Sequence, residues 1–335
     1  MATSADAFLA TLSPPQRQSA LRPFGDAAAR DSWHFLPLPL APRQGIEIAA
    51  LDAIQRKALH RFLSTALSSQ GYLKATHIMW FDDLLHDFEL ADLDTAPPGT
   101  NTELRRALVP ARRSDAYVLL FRGEPSAARW GFILSGHHLA LNINIVDGRI
   151  AFAPGFLGAS PQRIGSGRYA GWQLLQHEID RGGALIASLD KAQRAKAMQS
   201  PTVPPTLLFA RNGPAAGSRP LGITAAALND AQRSLLKALV REYVENGADE
   251  AATRQLAAIE ADGEASLHFA WWGPADDTSQ RFMYRVEGPS VLIEFVREPT
   301  PDGAPANHVH SILRDPRNDY GKDWLGSHYR DHHTP

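Results

Sequence analysis

The chain has 335 residues, 44% of them hydrophobic, enough for two ordinary domains or one large one with a substantial core. Its 34 basic and 36 acidic residues leave a formal charge of −2, without the basic stripe of a nucleic-acid or anionic-membrane binder, and no stretch approaches the roughly 18 apolar residues of a membrane span. The absence of cysteine excludes disulfides, thiolate catalysis, iron–sulfur clusters and Cys-ligated zinc, so any metal has to be held by His, Asp, Glu or Tyr.

The first 21 residues combine neither a cationic start nor a continuous apolar run, so they do not read as a secretory signal, and the cytoplasm is the expected compartment. Four short segments then announce helix starts: Leu12-Ser13-x-x-Gln16-Arg17, Leu51-Asp52-x-x-Gln55-Arg56, Leu189-Asp190-x-x-Gln193-Arg194 and Leu228-Asn229-x-x-Gln232-Arg233. In each, a Ser, Asp or Asn cap accepts from an orphan backbone N–H and the Gln three residues on reaches back to the cap. Apolar spacing predicts helices over 52–69 and 229–246, with further helices over 172–188 and 249–261.

Residues 116–121 and 130–134 read as a hairpin, and the alternation from His137 to Ile145 as a strand that ends at the Asp147-Gly148 turn into Ile150-Ala151-Phe152. Residues 267–272, 281–286 and 290–296 read as three more antiparallel strands. Aligning Phe132–Gly136 with Tyr284–Gly288 sets Leu139-x-Leu141-x-Ile143 opposite Val291-x-Ile293-x-Phe295. The expected fold is therefore α+β, with capped helices packed on antiparallel β-meanders in two similar halves that share one core, residues 1–188 and 189–335. One continuous domain of unrelated α+β layers is the alternative.

Two segments carry ligand chemistry. In Asn307-His308-Val309-His310-Ser311, histidines at i and i+2 of an extended chain point to one face and can grip one metal ion, against the plainer reading of two hydrogen-bonded histidines. The run that follows, Arg314-Asp315-Pro316-x-Asn318-Asp319-Tyr320-Gly321, is rich in groups that ligate metal or grip substrate, and equally in turn formers. In Gly136-His137-His138, neighbours on a strand face opposite ways, so only a bulge or turn at Gly136 lets both reach one ion. His138, aligned with Asn142 and Asn144, is the better ligand or base, and His137 is the core-edge histidine. Glu178 is a further candidate ligand, Glu294 is expected on a solvated face, His328 and Tyr329 are read as a lid or as exposed, and His332 and His333 as a tail.

His137-His138-Leu139, Phe152-x-Pro154-x-Phe156-x-Gly158, Tyr284-x-x-x-Gly288-Pro289 and above all the motif from Asn307 through Gly321 to His328-Tyr329 resemble the domain-of-unknown-function family 3500. The resemblance covers about Leu12 to Tyr329 and implies membership without implying an activity. The family pattern has an acidic residue before Gly-His-His where this chain has Ser135, which argues against a carboxylate acting at that point.

The functional expectation is a metal-dependent enzyme acting on a small molecule, with no nucleic-acid or membrane partner. His308 and His310 with His137 or His138 suit zinc and a hydrolytic water, whereas a carboxylate from Glu178, Asp315 or Asp319 as third ligand suits non-haem iron and oxygenation. His138 would serve as ligand or base, and Arg314 would anchor an anionic substrate group. The competing expectation is a metal-free ligand-binding protein whose exposed Trp271, Trp272, Tyr284 and Trp324 line a pocket.

Overall fold

A computed structural model describes residues 1–97, 99–210, 219–298 and 306–325. The chain forms two compact units, Met1–Ile150 and the chain from Ala151 onward. The fold is α+β, with mixed but mostly antiparallel strand pairing.

The first unit runs α1 (Ala2–Leu9), α2 (Pro14–Ala20), β1 (Leu21–Arg22), α3 (Ala27–Arg30), β2 (Ile46–Glu47), α4 (Ala53–Ala66), α5 (Ser69–Asp94), α6 (Glu103–Leu108), β3 (Val118–Arg122), β4 (Arg129–Gly136) and β5 (Leu139–Val146). Strands β3, β4 and β5 form an antiparallel meander, and β3 also takes β1 in parallel and β2 antiparallel. One face is covered by helices, where Phe8, Phe62, Phe121 and Phe132 meet ring to ring. The 26-residue α5 follows directly on α4 and is the largest element that periodicity does not reveal. Its buried residues, among them Ala75, Ile78, Phe81, Asp82 and Leu85, lie along one side, but the buried aspartate and the exposed Leu73, Phe88 and Leu90 blur the apolar stripe that marks a surface helix.

In the second unit, β6 (Arg149–Ala159), which starts at the boundary, is followed by α7 (Gln176–Ser188), α8 (Lys191–Ala197), β7 (Met198–Ser200), β8 (Ile223–Thr224), α9 (Asp230–Val244) and α10 (Asp249–Asp262). Then come β9 (His268–Trp272), β10 (Met283–Gly288), β11 (Val291–Glu298) and β12 (His308–Arg314). Strands β9 to β12 form an antiparallel meander, β6 pairs antiparallel with β12, and β9 takes β7 in parallel and β8 antiparallel. Tyr284, Phe295 and Trp271 stack on the face that meets α7 and α9, where the Tyr243 and Tyr284 hydroxyls lie 2.6 Å apart. Trp271, Trp272 and Tyr284, expected to be exposed around a pocket, are thus buried, because cross-strand aromatic pairs are most stable against a dry sheet face.

All four expected helix starts are capping boxes, at Ser13, Asp52, Asp190 and Asn229. The glutamines of these boxes also meet each other. Gln55 donates to the Thr11 carbonyl and shares hydrogen bonds of 2.8–3.1 Å with Gln16, which in turn donates to the Ala50 carbonyl. Gln232 donates to the Ser188 carbonyl and pairs at 2.8–2.9 Å with Gln193, which donates to the Ala227 carbonyl. Each pair therefore locks two helix starts together while satisfying buried polar atoms.

Gln232→Ala is expected to cost about 1–2 kcal/mol, from a lost cap partner and an unpaired buried amide, whereas exposed Gln18→Ala should stay within about 0.5 kcal/mol. Urea midpoints at unchanged slope measure both.

Candidate metal centre

Strand β4 stops at Gly136 because Gly136 pairs with Leu139, leaving His137 and His138 as the two central residues of a tight turn. The strand expected to begin at His137 begins at Leu139 instead. His137 is a turn residue, and the turn overcomes the opposed facing that a strand would impose. Its backbone is fixed at every level. His138 has φ of 62°, uncommon for a residue with a side chain, and its N–H donates to the Phe35 carbonyl at 3.0 Å. Arg43 donates to the Gly136 carbonyl at 3.1 Å and to the His34 carbonyl at 2.7 Å, and burial pulls its pKa down to about 10. The Tyr117 hydroxyl reaches the His137 carbonyl at 2.5 Å. A Cβ on residue 136 would come within 2.4 Å of the Tyr117 ring, so this site needs glycine.

The His137 ring sits under the same tyrosine. Its Nδ1 lies 2.6 Å from Asp82 Oδ1, and Tyr117 Oη lies 2.7 Å from Asp82 Oδ2. Asp82 comes from α5 and is 2% exposed; burial pushes its pKa well above the usual carboxylate value, a shift that the hydrogen bond from Tyr117 opposes. The two histidine rings lie 3.6 Å apart centre to centre, and Asp82, His137 and His138 offer ligand atoms within 4.8 Å of one another. Sequence reading missed Asp82 and Tyr117. The only available signal was an aspartate inside an otherwise apolar helical stretch, Trp80-Phe81-Asp82-Asp83-Leu84-Leu85.

In the second unit, β12 alternates as the histidine spacing requires. His308 and His310 share a face, and their Nε2 atoms lie 2.9 Å apart. Glu298, paired with His308 across β11, stands on the other side of the rings: its carboxylate is 3.3 Å from His310 Nδ1 and 3.9 Å from His308 Nδ1. The histidines are 15% and 8% exposed, and the Phe156 ring packs 5.2 Å from that of His310.

The remaining expected site residues have other employment. Glu178 is fully buried, but its backbone carbonyl accepts from Tyr284 Oη, and Tyr284 points to the helix-covered face of the sheet. His310 pairs with Val296 and so points to the opposite face from the Tyr284–Phe295–Ser311 row. The sheet itself thus separates Glu178 from the histidine pair, and Glu178 is not their third ligand. Arg314 donates to Asp319 Oδ2 at 2.8 Å and to the Phe209 carbonyl at 3.2 Å, while Asp319 Oδ1 accepts from the Asp315 N–H. Asp315 in turn accepts from the N–H groups of Arg317 and Asn318. The run after β12 is a turn closed by its own carboxylates. Glu294, expected to be solvated, is fully buried: it takes two hydrogen bonds from Arg285, at 2.8 and 3.0 Å, and two from the Leu208 and Phe209 N–H groups. Burial raises its pKa and Arg285 opposes the rise. His328, Tyr329, His332 and His333 lie outside the described residues.

The model of the family described as "Protein of unknown function (DUF3500)" matches residues 1–322. The chain belongs to this family. No curated protein and no solved structure matches it. Among the described residues no helix is long and apolar enough to cross a membrane.

Glu294→Ala is expected to cost about 3–5 kcal/mol, since it strands the buried Arg285 guanidinium, and calorimetric unfolding measures it. Burial lifts Asp315 from 3.8 to about 7, so the native state holds a proton that the unfolded state releases between those values. Stability contributed by this group is present below about 4 and is lost as pH rises towards about 7. Asp315→Asn should remove that part of the slope in stability measured across the interval.

Proposed function

We propose that the chain binds one divalent metal ion through His308 and His310. The observation that carries this reading is the 2.9 Å approach of the His308 and His310 Nε2 atoms. Two nitrogens at about 2.0–2.1 Å from one ion lie roughly 2.8–3.4 Å apart for bond angles of about 90–110°. Glu298, on the Nδ1 side of both rings, supports it. A carboxylate there favours Nδ1–H tautomers, which turn both Nε2 lone pairs towards a common point, an arrangement that a cation relieves.

The donor set favours zinc over non-haem iron. Of the carboxylates expected as third ligand, Glu178 lies on the other face of the sheet, and Asp315 and Asp319 close the turn after β12. Histidine nitrogens suit zinc, which would supply a bound water of lowered pKa, and hydrolysis of a small molecule is the reaction class this would serve. Arg314, held by Asp319 and the Phe209 carbonyl, is not assigned a substrate role.

The recurrence of elements supports reading the chain as an internal duplication with one specialised copy. Gly136 and Gly288 each precede a two-residue turn, but the first turn is His137-His138 and the second Pro289-Ser290. On this reading a single copy carries turn histidines.

Protein purified without an affinity tag is expected to carry about one zinc per chain by elemental analysis. His310→Ala should lose most of it while keeping its fold, and chelation should lower the melting temperature of the wild type by mass action. Affinity should fall as pH drops through about 6.5, because neutral imidazole is the binding form. A metal-free wild type with an unchanged melting temperature in chelator would leave the 2.9 Å contact as a hydrogen bond between two histidines.

A further inference from the structure

We infer that the first unit carries a metal site of its own, in which Asp82, His137 and His138 hold a divalent first-row cation; it is separate from the histidine pair on β12. The three side chains are buried, and each offers a ligand atom within 4.8 Å of the other two. Ligand atoms held about 2.0–2.2 Å from one ion stand roughly 2.8–3.6 Å apart at angles of about 90–110°. Asp82 Oδ1 and His137 Nδ1, 2.6 Å apart, are just inside that spacing. A cation in place of the proton they share parts them only slightly. The rings of His137 and His138 lie 3.6 Å apart centre to centre, which brings the third donor to the same point.

The charge of the group also points to a cation. A carboxylate taken out of water needs compensation, yet this one meets a phenol and an imidazole, and the Arg112 guanidinium pairs with Glu89 instead. One carboxylate and two neutral imidazoles carry a net negative charge and a surplus of lone pairs, which a divalent ion satisfies. Mixed oxygen and nitrogen donors suit zinc, iron or manganese. Tyr117 Oη, 2.7 Å from Asp82 Oδ2, engages one carboxylate oxygen and leaves the other for the ion, the usual outer support of a ligating carboxylate.

The backbone is built to the same end. His138 has φ of 62°, in the left-handed region, where Gly or Asn sits in a hairpin with less strain. The Tyr117 hydroxyl at the His137 carbonyl, Arg43 on the Gly136 carbonyl and the Phe35 carbonyl on the His138 N–H hold the turn in that shape. Two adjacent histidines are thereby fixed with their rings together, which an extended strand forbids. Preorganised ligation accounts for the strain.

The test uses the full chain and zinc as the probe, counted in competition with a chromophoric chelator. Because the ion displaces the proton between Asp82 and His137, the site fills as zinc is added, and the wild type should saturate at about two ions per chain. His308→Ala/His310→Ala should still take up about one. In that background His137→Gln or His138→Asn should abolish the remaining uptake, while Tyr117→Phe, which keeps the ring against Gly136, should weaken it about 10–100-fold. His138→Asn separates ligation from a structural role, since asparagine suits the left-handed turn and should leave the metal-free melting temperature unchanged or higher. Spectra of the wild type labelled with nitrogen-15 in histidine give a reading that needs no variant: zinc should shift the ring nitrogens of His137 and His138. Unshifted nitrogens, no uptake by His308→Ala/His310→Ala, or uptake there that ignores His137→Gln and His138→Asn would overturn this inference. Zinc bound here while His310→Ala changes nothing would overturn the reading of the β12 pair and leave this one standing.

Discussion

The contact between the Tyr117 ring and Gly136 is the constraint on which the first unit's chemistry depends. Because residue 136 has no side chain, the ring can lie flat against the end of β4, and the hydroxyl at its tip reaches both the His137 carbonyl and Asp82. The turn conformation, the left-handed His138 and the orientation of His137 all follow from that approach. Burial of Asp82 is tolerable for the same reason, since a carboxylate removed from water needs partners on both oxygens.

The second unit solves the equivalent problem with a sheet. His308 and His310 are brought together by strand alternation alone, and Glu298 reaches them by being the register partner of His308. On the same face, farther along β12, the chain spends its charge on structure. Arg285 with Glu294, and Arg314 with Asp319, are buried pairs whose remaining hydrogen-bond capacity goes to the backbone of residues 208 and 209. These pairs tie the segment before Ala210 to the sheet, and Arg314, which in sequence reads as a substrate anchor, is held in one of them.

Much of the local structure was legible because it depends on neighbours in sequence. The capping boxes at Ser13, Asp52, Asp190 and Asn229 need only a cap and a glutamine three residues later, and the Asp147-Gly148 turn needs only two residues that accept positive φ. The pairing of Gln16 with Gln55 and of Gln193 with Gln232 was not legible, since it joins residues of different helices. Helix α5 escaped notice because its buried Asp82 and its exposed Leu73, Phe88 and Leu90 cancel the apolar period that its packed side would otherwise show.

For the candidate site the division is similarly physical. The sequence by itself determined that any ligand set must be rich in histidine, that His308 and His310 share a face if extended, and that His137 and His138 can act together only at a turn. Only the tertiary structure decided that the turn exists, that Asp82 from a helix some fifty residues earlier in the chain stands behind His137, and that Glu178 lies across a sheet from the histidine pair. Alternation and capping are short-range consequences of backbone geometry, whereas which carboxylate meets which imidazole depends on how helices pack on strands, and that is settled by burial of whole faces and not by any local motif.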